Sequence, residues 1–245
     1  MSALSRLRVK LFADGACLSD MLALATAPYI RGFTTNPSLL RRAGVRDYRE
    51  FAATVVAALP DRPISFEVLA DGFDEMEEQA REIASWGSAV YVKVPITNTR
   101  GEPTAGLIER LSHSGVKVNV TCVMTLAQVA TAIGALEGGA PANVSIFAGR
   151  IADTGRDPVP AIRDAVALAR QTRSVEIIWA SPREVLNVWQ ADAAGCHIIT
   201  VTPDLLAKLA LAGKDLDAFS LETVQMFRDD AVGAGLTLRC GVQPT

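Results

Sequence analysis

The sequence has few of the residues from which metal sites and disulfide frameworks are built. Only two histidines, His113 and His197, occur among the 245 residues, and the four cysteines lie far apart without a Cys-x-x-Cys pair. Zinc sites and disulfide scaffolds need closely spaced clusters of these residues. We therefore predict free thiols and no bound metal.

Long apolar runs and a strong charge of one sign are also missing. No stretch of 18 apolar residues occurs, and the N-terminal segment MSALSRLRVKLFADG lacks the apolar core of a signal peptide. The 24 Lys and Arg residues against 27 Asp and Glu residues give a net charge of −3, without the basic excess typical of nucleic-acid-binding proteins. We expect a cytoplasmic protein that binds neither membrane nor nucleic acid. The hydrophobic content of 49% excludes an intrinsically disordered chain.

The sequence does contain a regular alternation of short β-branched runs and longer amphipathic stretches. The short runs are nearly all apolar, as expected for parallel strands covered on both faces. Eight such units over about 210 residues indicate a (β/α)8 TIM barrel rather than a doubly wound sheet, whose first strand usually precedes a glycine-rich turn. The predicted strands are 8–13, 31–35, 63–69, 89–94, 116–121, 143–148, 176–180 and 197–201. The predicted helices between them are 18–27, 37–59, 73–86, 103–114, 125–137, 157–173, 182–193 and 203–211.

The predicted domain organisation is one barrel spanning residues 1–245, without a linker or a low-complexity stretch. A further amphipathic helix over 214–232 follows the eighth unit. We expect this C-terminal helix either to cap the barrel or to reach a neighbouring subunit.

Polar residues occur at the predicted carboxyl ends of the strands, where TIM barrels carry their active sites. Each also has a structural explanation when considered alone: Asp14 and Ser181 can cap helices, and Asn36 before a proline can be a turn residue. Together they predict one candidate site. Its members are Asp14, Asn36, Glu67, Lys93, Asn119, Thr121, Ser145, Arg150, Ser181 and Arg183.

Lys93 is the most informative member because it lies inside the apolar strand VYVKVP. Lysine is seldom buried without a partner, although a structural lysine that extends to the barrel mouth is an alternative. Burial disfavours the charged form of an amine, and a neutral amine attacks a carbonyl to form a Schiff base. Lys93 therefore indicates Schiff-base chemistry.

The neighbouring polar residues suit the rest of such a reaction. Glu67 could shuttle protons through a water, and Asp14 could take a hydroxyl proton during carbon–carbon cleavage. Arg150 and Arg183 suit a phosphate, because guanidinium binds phosphate with two parallel hydrogen bonds. The residues thus indicate a Schiff-base aldolase that acts on a phosphorylated ketose.

Eight sequence runs, in order along residues 8–210, carry a resemblance to a known family. They are FADGA (12–16), GFTTNPSLL (32–40), ISFEVLAD (64–71), YVKVPIT (91–97), VNVTCVMT (118–125), SIFAGRIADTG (145–155), ASPR (180–183) and QADAAGCHIITVTPDLLAKL (190–209). In these runs the chain resembles the transaldolase family. The resemblance implies an enzyme that needs no cofactor or metal, acts on sugar phosphates and forms a homo-oligomer.

The resemblance also implies a role for each polar residue. Lys93 matches the Schiff-base lysine, and Asp14 matches the carboxylate that takes the C4 hydroxyl proton during cleavage. Glu67 and Thr121 match the residues that hold the catalytic water. The positions that match substrate contacts are Asn36 and Asn119 for the dihydroxyacetone portion, with Ser145 beside them, and Arg150, Ser181 and Arg183 for the phosphate.

Two reactions are known on this scaffold. Transaldolases pass a dihydroxyacetone unit from a ketose phosphate to an aldose phosphate, whereas the related fructose-6-phosphate aldolases release it. The aldolase branch typically has Gln at the position of Glu67 and Tyr at that of Phe147, so this sequence, which also has Gly149, favours transaldolase.

The acceptor sugar and the metabolic pathway stay open at this point. Ile146 and Pro182 stand where Pro and Phe are common in the family, so the acceptor sugar is not indicated. A specialised role in sugar-antibiotic or polysaccharide biosynthesis is an alternative to the pentose phosphate pathway. A non-catalytic sugar-phosphate-binding barrel is a third possibility, and a metal-dependent aldolase is disfavoured because the histidines lack a carboxylate cluster.

Overall fold

A computed structural model describes residues 3–172 and 174–238, and eight parallel strands in it close into a barrel. Strands that follow each other in sequence are neighbours in the barrel, and the last strand pairs with the first. The predicted TIM barrel is confirmed. The strands are β1 Lys10–Asp14, β2 Ile30–Thr34, β3 Ile64–Glu67, β4 Val90–Pro95, β5 Val118–Val123, β6 Ala142–Ile146, β7 Val175–Trp179 and β8 Ile198–Val201.

Helices connect successive strands, which is the arrangement that parallel neighbours require. Two short 3-10 segments, Ala3–Arg6 and Lys208–Leu211, accompany them. The helices are α1 Leu18–Ala25, α2 Pro37–Arg42, α3 Tyr48–Ala58, α4 Phe73–Ser85, α5 Ala105–His113, α6 Leu126–Leu136, α7 Ala148–Ala152, α8 Val159–Ala169, α9 Leu186–Ala193, α10 Pro203–Ala207 and α11 Leu216–Gly233.

The helix predicted over 37–59 is two helices, and that prediction was wrong. Gly44 has φ of 72°, a conformation that glycine adopts without steric cost, and this glycine ends the first helix. Asp47 then starts the second helix, since its carboxylate accepts a 2.9 Å hydrogen bond from the Glu50 N–H. The continuous amphipathic pattern concealed this break.

The segments after β6 and β7 also differ from the prediction. The strand predicted over 143–148 ends at Ile146, and the short helix α7, which sequence patterning missed, follows at once. The helix predicted over 182–193 begins only at Leu186. The Asn187 side-chain oxygen accepts hydrogen bonds from the Arg183 and Glu184 N–H groups, at 2.7 and 3.1 Å, and these bonds stabilise a turn before the helix.

A small apolar cluster lies inside the barrel, separate from the main core between strands and helices. It comprises Phe12, Ile178, Ala180 and Ile198, and Phe147 packs against it. Phe12 lies two residues before Asp14 and so shares its inward face. A Cβ on Gly32 would lie 2.6 Å from the Phe12 ring, so glycine leaves room for that ring. The cluster therefore lies below the barrel end at which Asp14 is placed.

The chain divides into two compact units after Leu209, the first of which contains the barrel. In the second unit, Asp215 caps α11 by accepting a 2.9 Å hydrogen bond from the Ala218 N–H. Lys214 forms an ion pair with Glu222, which lies in the second turn of α11. Across the described part of the chain, no helix is long and apolar enough to cross a membrane.

Candidate active site

Lys93 and Glu67 face each other as register partners on β4 and β3. Lys93 Nζ lies 2.9 Å from Glu67 Oε2 and donates a 2.8 Å hydrogen bond to the carbonyl oxygen of Thr35. Only 6% of the Lys93 surface is exposed. A buried ammonium needs such partners, because its desolvation is costly. The arrangement provides the amine with an adjacent carboxylate that can accept its proton.

Asp14 ends β1, and its carboxyl group is hydrogen-bonded to a pair of hydroxyl groups on the two strands that flank β1. Thr34 Oγ1 donates to Asp14 Oδ1 at 2.7 Å, and the hydroxyl oxygens of Thr34 and Thr200 are 2.5 Å apart. Because Thr34 uses its proton on Asp14, Thr200 donates to Thr34. Burial raises the pKa of Asp14, and the charge of Lys93 opposes the increase. A carboxylate with a raised pKa is a stronger proton acceptor near neutral pH.

Asn119 is fixed in orientation by two buried side chains. Its Nδ2 donates to Ser65 Oγ at 3.0 Å, and its Oδ1 accepts from Ser145 Oγ at 2.7 Å. These three residues come from three strands, β5, β3 and β6. The amide and hydroxyl groups are therefore held rigidly inside the barrel.

Thr121 lies two residues after Asn119 on β5, on the same inward face. It is fully buried, and its hydroxyl has no hydrogen-bond partner within the residues that the structure describes. The next residue, Cys122, has φ of 62°, and the pairing of β5 with β6 shifts register between Val120 and Val123. Such strained backbone is concentrated at functional sites.

Asn36 caps a helix, a structural role that differs from the turn residue suggested by its position before a proline. Its Oδ1 accepts a 3.0 Å hydrogen bond from the Leu39 N–H and so caps α2. It follows Thr35, whose carbonyl binds Lys93. Asn36 is therefore one residue from the Lys93 site, with its carboxamide oxygen occupied by the helix cap.

The loops after β6 and β7 meet at Gly149. A Cβ there would lie 1.6 Å from the carbonyl oxygen of Ser181 and 3.2 Å from Arg183 Nε, so only glycine permits this approach. Ser181 has φ of 61°, which turns its backbone sharply after β7. The contact brings α7, which carries Arg150, next to Ser181 and Arg183.

Arg183 is bound by a carboxylate that sequence reasoning missed. Its guanidinium donates from Nε to Asp153 Oδ1 at 2.9 Å and from a terminal nitrogen to Asp153 Oδ2. The hydrogen bonds from Arg183, and more weakly the charge of Arg150, lower the pKa of Asp153. The arginines predicted to bind phosphate thus share an acidic neighbour at the end of α7.

Sequence patterning also missed four buried residues that support the site. The hydroxyl groups of Thr34 and Ser65 contact Asp14 and Asn119. Thr35 contacts Lys93 through its backbone carbonyl, and Thr200 contacts Thr34. A polar residue in an apolar strand was the available signal, because Thr34, Ser65 and Thr200 each interrupt such a strand. The signal is weak, since threonine and serine also occur in strands for packing reasons.

The histidines and cysteines in the described part of the chain form neither a metal site nor a disulfide. His197 Nδ1 accepts from the Ile177 N–H at 3.0 Å, and burial lowers the pKa of His197. Within residues 3–172 and 174–238, no group of three or more His, Cys, Asp and Glu side chains could hold a metal ion. Cys17, Cys122 and Cys196 are free thiols, while Cys240 lies outside the described residues.

Sequence comparison identifies the family to which the chain belongs. The model of the transaldolase/fructose-6-phosphate aldolase family matches residues 11–237, a span that includes all eight strands except the first residue of β1. The chain belongs to the transaldolase/fructose-6-phosphate aldolase family. The predicted family is therefore confirmed.

Relatives within this family carry transaldolase names. A probable transaldolase from Dehalococcoides mccartyi is 34% identical over 202 residues, covering 82% of this chain and 90% of the relative. A probable transaldolase from Streptococcus agalactiae is 35% identical over 222 residues, covering 86% of this chain and 95% of the relative. A Burkholderia cenocepacia protein of known structure superposes with a TM-score of 0.57 at 18% identity, covering 93% of this chain and 87% of that protein. At that identity the superposition supports the fold alone.

Proposed function

We propose that this chain is a transaldolase that transfers a dihydroxyacetone unit through a Schiff base on Lys93. The donor is a ketose phosphate such as fructose 6-phosphate or sedoheptulose 7-phosphate, and the acceptor is an aldose phosphate. The observation that carries the proposal is the buried Lys93 amine between the Glu67 carboxylate and the Thr35 carbonyl, with Asp14 nearby. An amine so placed can be deprotonated and can then attack a carbonyl.

In the first step Lys93 passes a proton to Glu67. The neutral amine attacks C2 of the ketose, and the carbonyl oxygen becomes a hydroxyl group as the carbinolamine forms. Glu67 then returns a proton to that hydroxyl, which leaves as water, so that an iminium remains. Thr121 supports this role because its buried hydroxyl is free to bind the water that relays the proton.

In the second step Asp14 takes the proton of the C4 hydroxyl. The C3–C4 bond breaks, its electron pair forms an enamine on Lys93, and the aldose phosphate leaves as an aldehyde. In the reverse sense, the enamine attacks a new aldehyde, and Asp14 returns the proton to the alkoxide oxygen. The raised pKa of Asp14 supports its role in both directions.

The remaining residues are proposed to bind substrate. Asn119 and Ser145 contact the dihydroxyacetone hydroxyls, Asn36 contributes its amide nitrogen, and Phe147 lines the same end of the barrel. Arg150, Ser181 and Arg183 bind the phosphate. The close approach of their loops at Gly149 supports this assignment.

We further propose that the chain is one barrel domain with a C-terminal helical extension. We also propose that it is a metal- and cofactor-independent enzyme of cytoplasmic carbohydrate metabolism, in the pentose phosphate pathway. A homo-oligomer is the proposed assembly. The apolar side chains that α11 exposes, among them Leu216, Leu221 and Phe227, support an interface between copies of the chain.

The test of the proposed function combines a covalent trap with a transfer assay. Borohydride added with fructose 6-phosphate should leave a reduced adduct on Lys93, located by mass spectrometry of the digested protein. An adduct on Lys208 or Lys214 with Lys93 unmodified would contradict the assignment. Transfer is measured against a panel of aldose phosphates, with free dihydroxyacetone followed in parallel. Release as fast as transfer would indicate the aldolase reaction instead.

A further inference from the structure

The hydrogen-bond ladder between β2 and β3 is interrupted next to Lys93. In a pair of parallel strands, the N–H of a residue donates to the residue that precedes its partner on the neighbouring strand. Its carbonyl accepts from the residue that follows that partner. The N–H groups of Phe33 and Thr35 donate to the carbonyls of Pro63 and Ser65, at 2.8 and 3.0 Å. The next bond in this series would run from the Glu67 N–H to the Thr35 carbonyl.

Three hydrogen bonds involving side chains take the place of that bond. The Thr35 carbonyl accepts the 2.8 Å hydrogen bond from Lys93 Nζ. The Glu67 N–H donates instead to the hydroxyl oxygen of Tyr48, at 2.8 Å, and the Tyr48 hydroxyl donates to the Glu67 carbonyl at 3.1 Å. The Tyr48 side chain, from α3, thus forms hydrogen bonds with both the backbone N–H and the backbone carbonyl of Glu67.

Tyr48 is well suited to this exchange. It is the first residue of α3, whose start is fixed by the Asp47 cap, and its ring makes edge contacts with Trp86 and Phe66 at 5.6 and 6.2 Å. Burial raises the pKa of its hydroxyl, so the proton needed for donation stays on the oxygen. A protonated phenol can accept and donate at once, as this position requires.

We propose that Tyr48 is a positioning residue that keeps the Thr35 carbonyl available to the Lys93 amine by occupying the Glu67 N–H. Without the Tyr48 hydroxyl, the Glu67 N–H has one acceptor within the ladder pattern, the Thr35 carbonyl. Lys93 then competes for that carbonyl, and the side chain of Glu67 moves with its backbone. The consequence for catalysis rests on the proposed function, in which Lys93 and Glu67 form the Schiff base.

The test is Tyr48→Phe, which keeps the ring and its edge contacts and removes one oxygen. Because the change misplaces the amine and its proton acceptor, we expect kcat to fall about 10- to 100-fold. The KM for fructose 6-phosphate should change less than about twofold, since the proposed phosphate contacts are untouched. The rate of borohydride trapping on Lys93 should fall together with kcat.

Tyr91→Phe is the matched control. Tyr91 is a half-buried tyrosine on β4, two residues before Lys93, and makes no contact with Glu67 or Thr35 among the described interactions. The same loss of one phenol oxygen there should leave kcat and the trapping rate unchanged. A crystal structure of Tyr48→Phe should show the Glu67 nitrogen within about 3 Å of the Thr35 oxygen.

The outcomes separate this proposal from the proposed function. If wild-type protein gives no adduct on Lys93, the Schiff-base function fails, whereas the predicted hydrogen-bond switch is still observable in the variant structure. If wild type is trapped and Tyr48→Phe reacts at the wild-type rate, the positioning role is overturned. A lower melting temperature with unchanged kcat would likewise overturn it, because Tyr48 would then contribute to stability alone.

Discussion

Arg183 and Asp153 form a two-point ion pair between the loop after β7 and the end of α7. The fork of guanidinium donors that binds the Asp153 carboxylate is the same geometry with which arginine binds a phosphate. Under the proposed function, a phosphorylated substrate bound at this position competes with Asp153 for Arg183 or binds to the remaining guanidinium donors.

Removing the guanidinium tests its proposed role. Arg183→Ala should raise the KM for phosphorylated donors about 30- to 100-fold, as loss of a charge-assisted two-point contact predicts. The KM for unphosphorylated analogues should change far less. The measurement is steady-state kinetics with both donor types. Equal weakening of the two would show that Arg183 acts only in the structure of the loop.

Neutralising the competing carboxylate should have the opposite effect. Asp153→Asn keeps the side-chain shape but frees the guanidinium, so the KM for a phosphorylated donor should fall by about two- to fivefold, more at low salt than at high salt. Kinetics at two ionic strengths provide the measurement. A rise in KM would mean that Asp153 orients Arg183 for the phosphate rather than competing with it.

A single methyl group should disrupt the contact between the two loops. Gly149→Ala places a carbon in the space of the Ser181 carbonyl, so the free energy of unfolding should fall by about 1–3 kcal/mol. The KM for phosphorylated donors should rise as Ser181 and Arg183 shift. Gly134→Ala is the control, because a Cβ there meets no atom within 4 Å and alanine favours the helix α6. Denaturant unfolding of both variants checks the prediction; equal stability of the two would contradict it.

The buried carboxyl of Asp14 should make stability depend on pH. Its pKa is raised in the folded state, so ionisation costs more there than in the unfolded chain. The resulting loss of stability is absent at pH values below the pKa that Asp14 has in the unfolded chain. It grows as the pH rises through the higher pKa of the folded state, so it is largest at alkaline pH. Asp14→Asn should therefore melt above the wild type at neutral and higher pH, and the difference should shrink towards acid pH. A constant difference across that range would contradict this account.

The balance between transfer and release should depend on Phe147. This residue has no hydroxyl with which to activate a water against the Schiff base, so an enamine on Lys93 should wait for an aldehyde. Phe147→Tyr should increase free dihydroxyacetone per transfer, and adding Glu67→Gln should increase it further. A 100-fold change in partition needs about 2.7 kcal/mol of relative barrier. The ratio is measured at fixed acceptor concentration, and an unchanged ratio in Phe147→Tyr would remove Phe147 from the control of hydrolysis.

Local sequence patterns were sufficient to predict the barrel and the end of it that carries the polar residues. Parallel strands covered on both faces must be apolar throughout, so each strand is a visible run, and a charged residue such as Lys93 stands out within it. The same patterns did not show the break at Gly44 or the helix α7. The break depends on the backbone conformation of a single glycine, and α7 has only five residues. Neither feature changes the hydrophobic periodicity of the surrounding sequence.

The hydrogen-bond partners of the polar residues were decided by the tertiary structure. The Thr34 and Thr200 hydroxyl groups are 166 residues apart in sequence. Tyr48 contacts Glu67 because the first turn of α3 lies against Phe66 and Glu67 of β3. Arg183 binds Asp153 across 30 positions, since two loops approach at a glycine. A sequence specifies which side chains can donate and accept hydrogen bonds. Which donor reaches which acceptor depends on strand register and loop approach, because a hydrogen bond is lost when its atoms are displaced by about 1 Å.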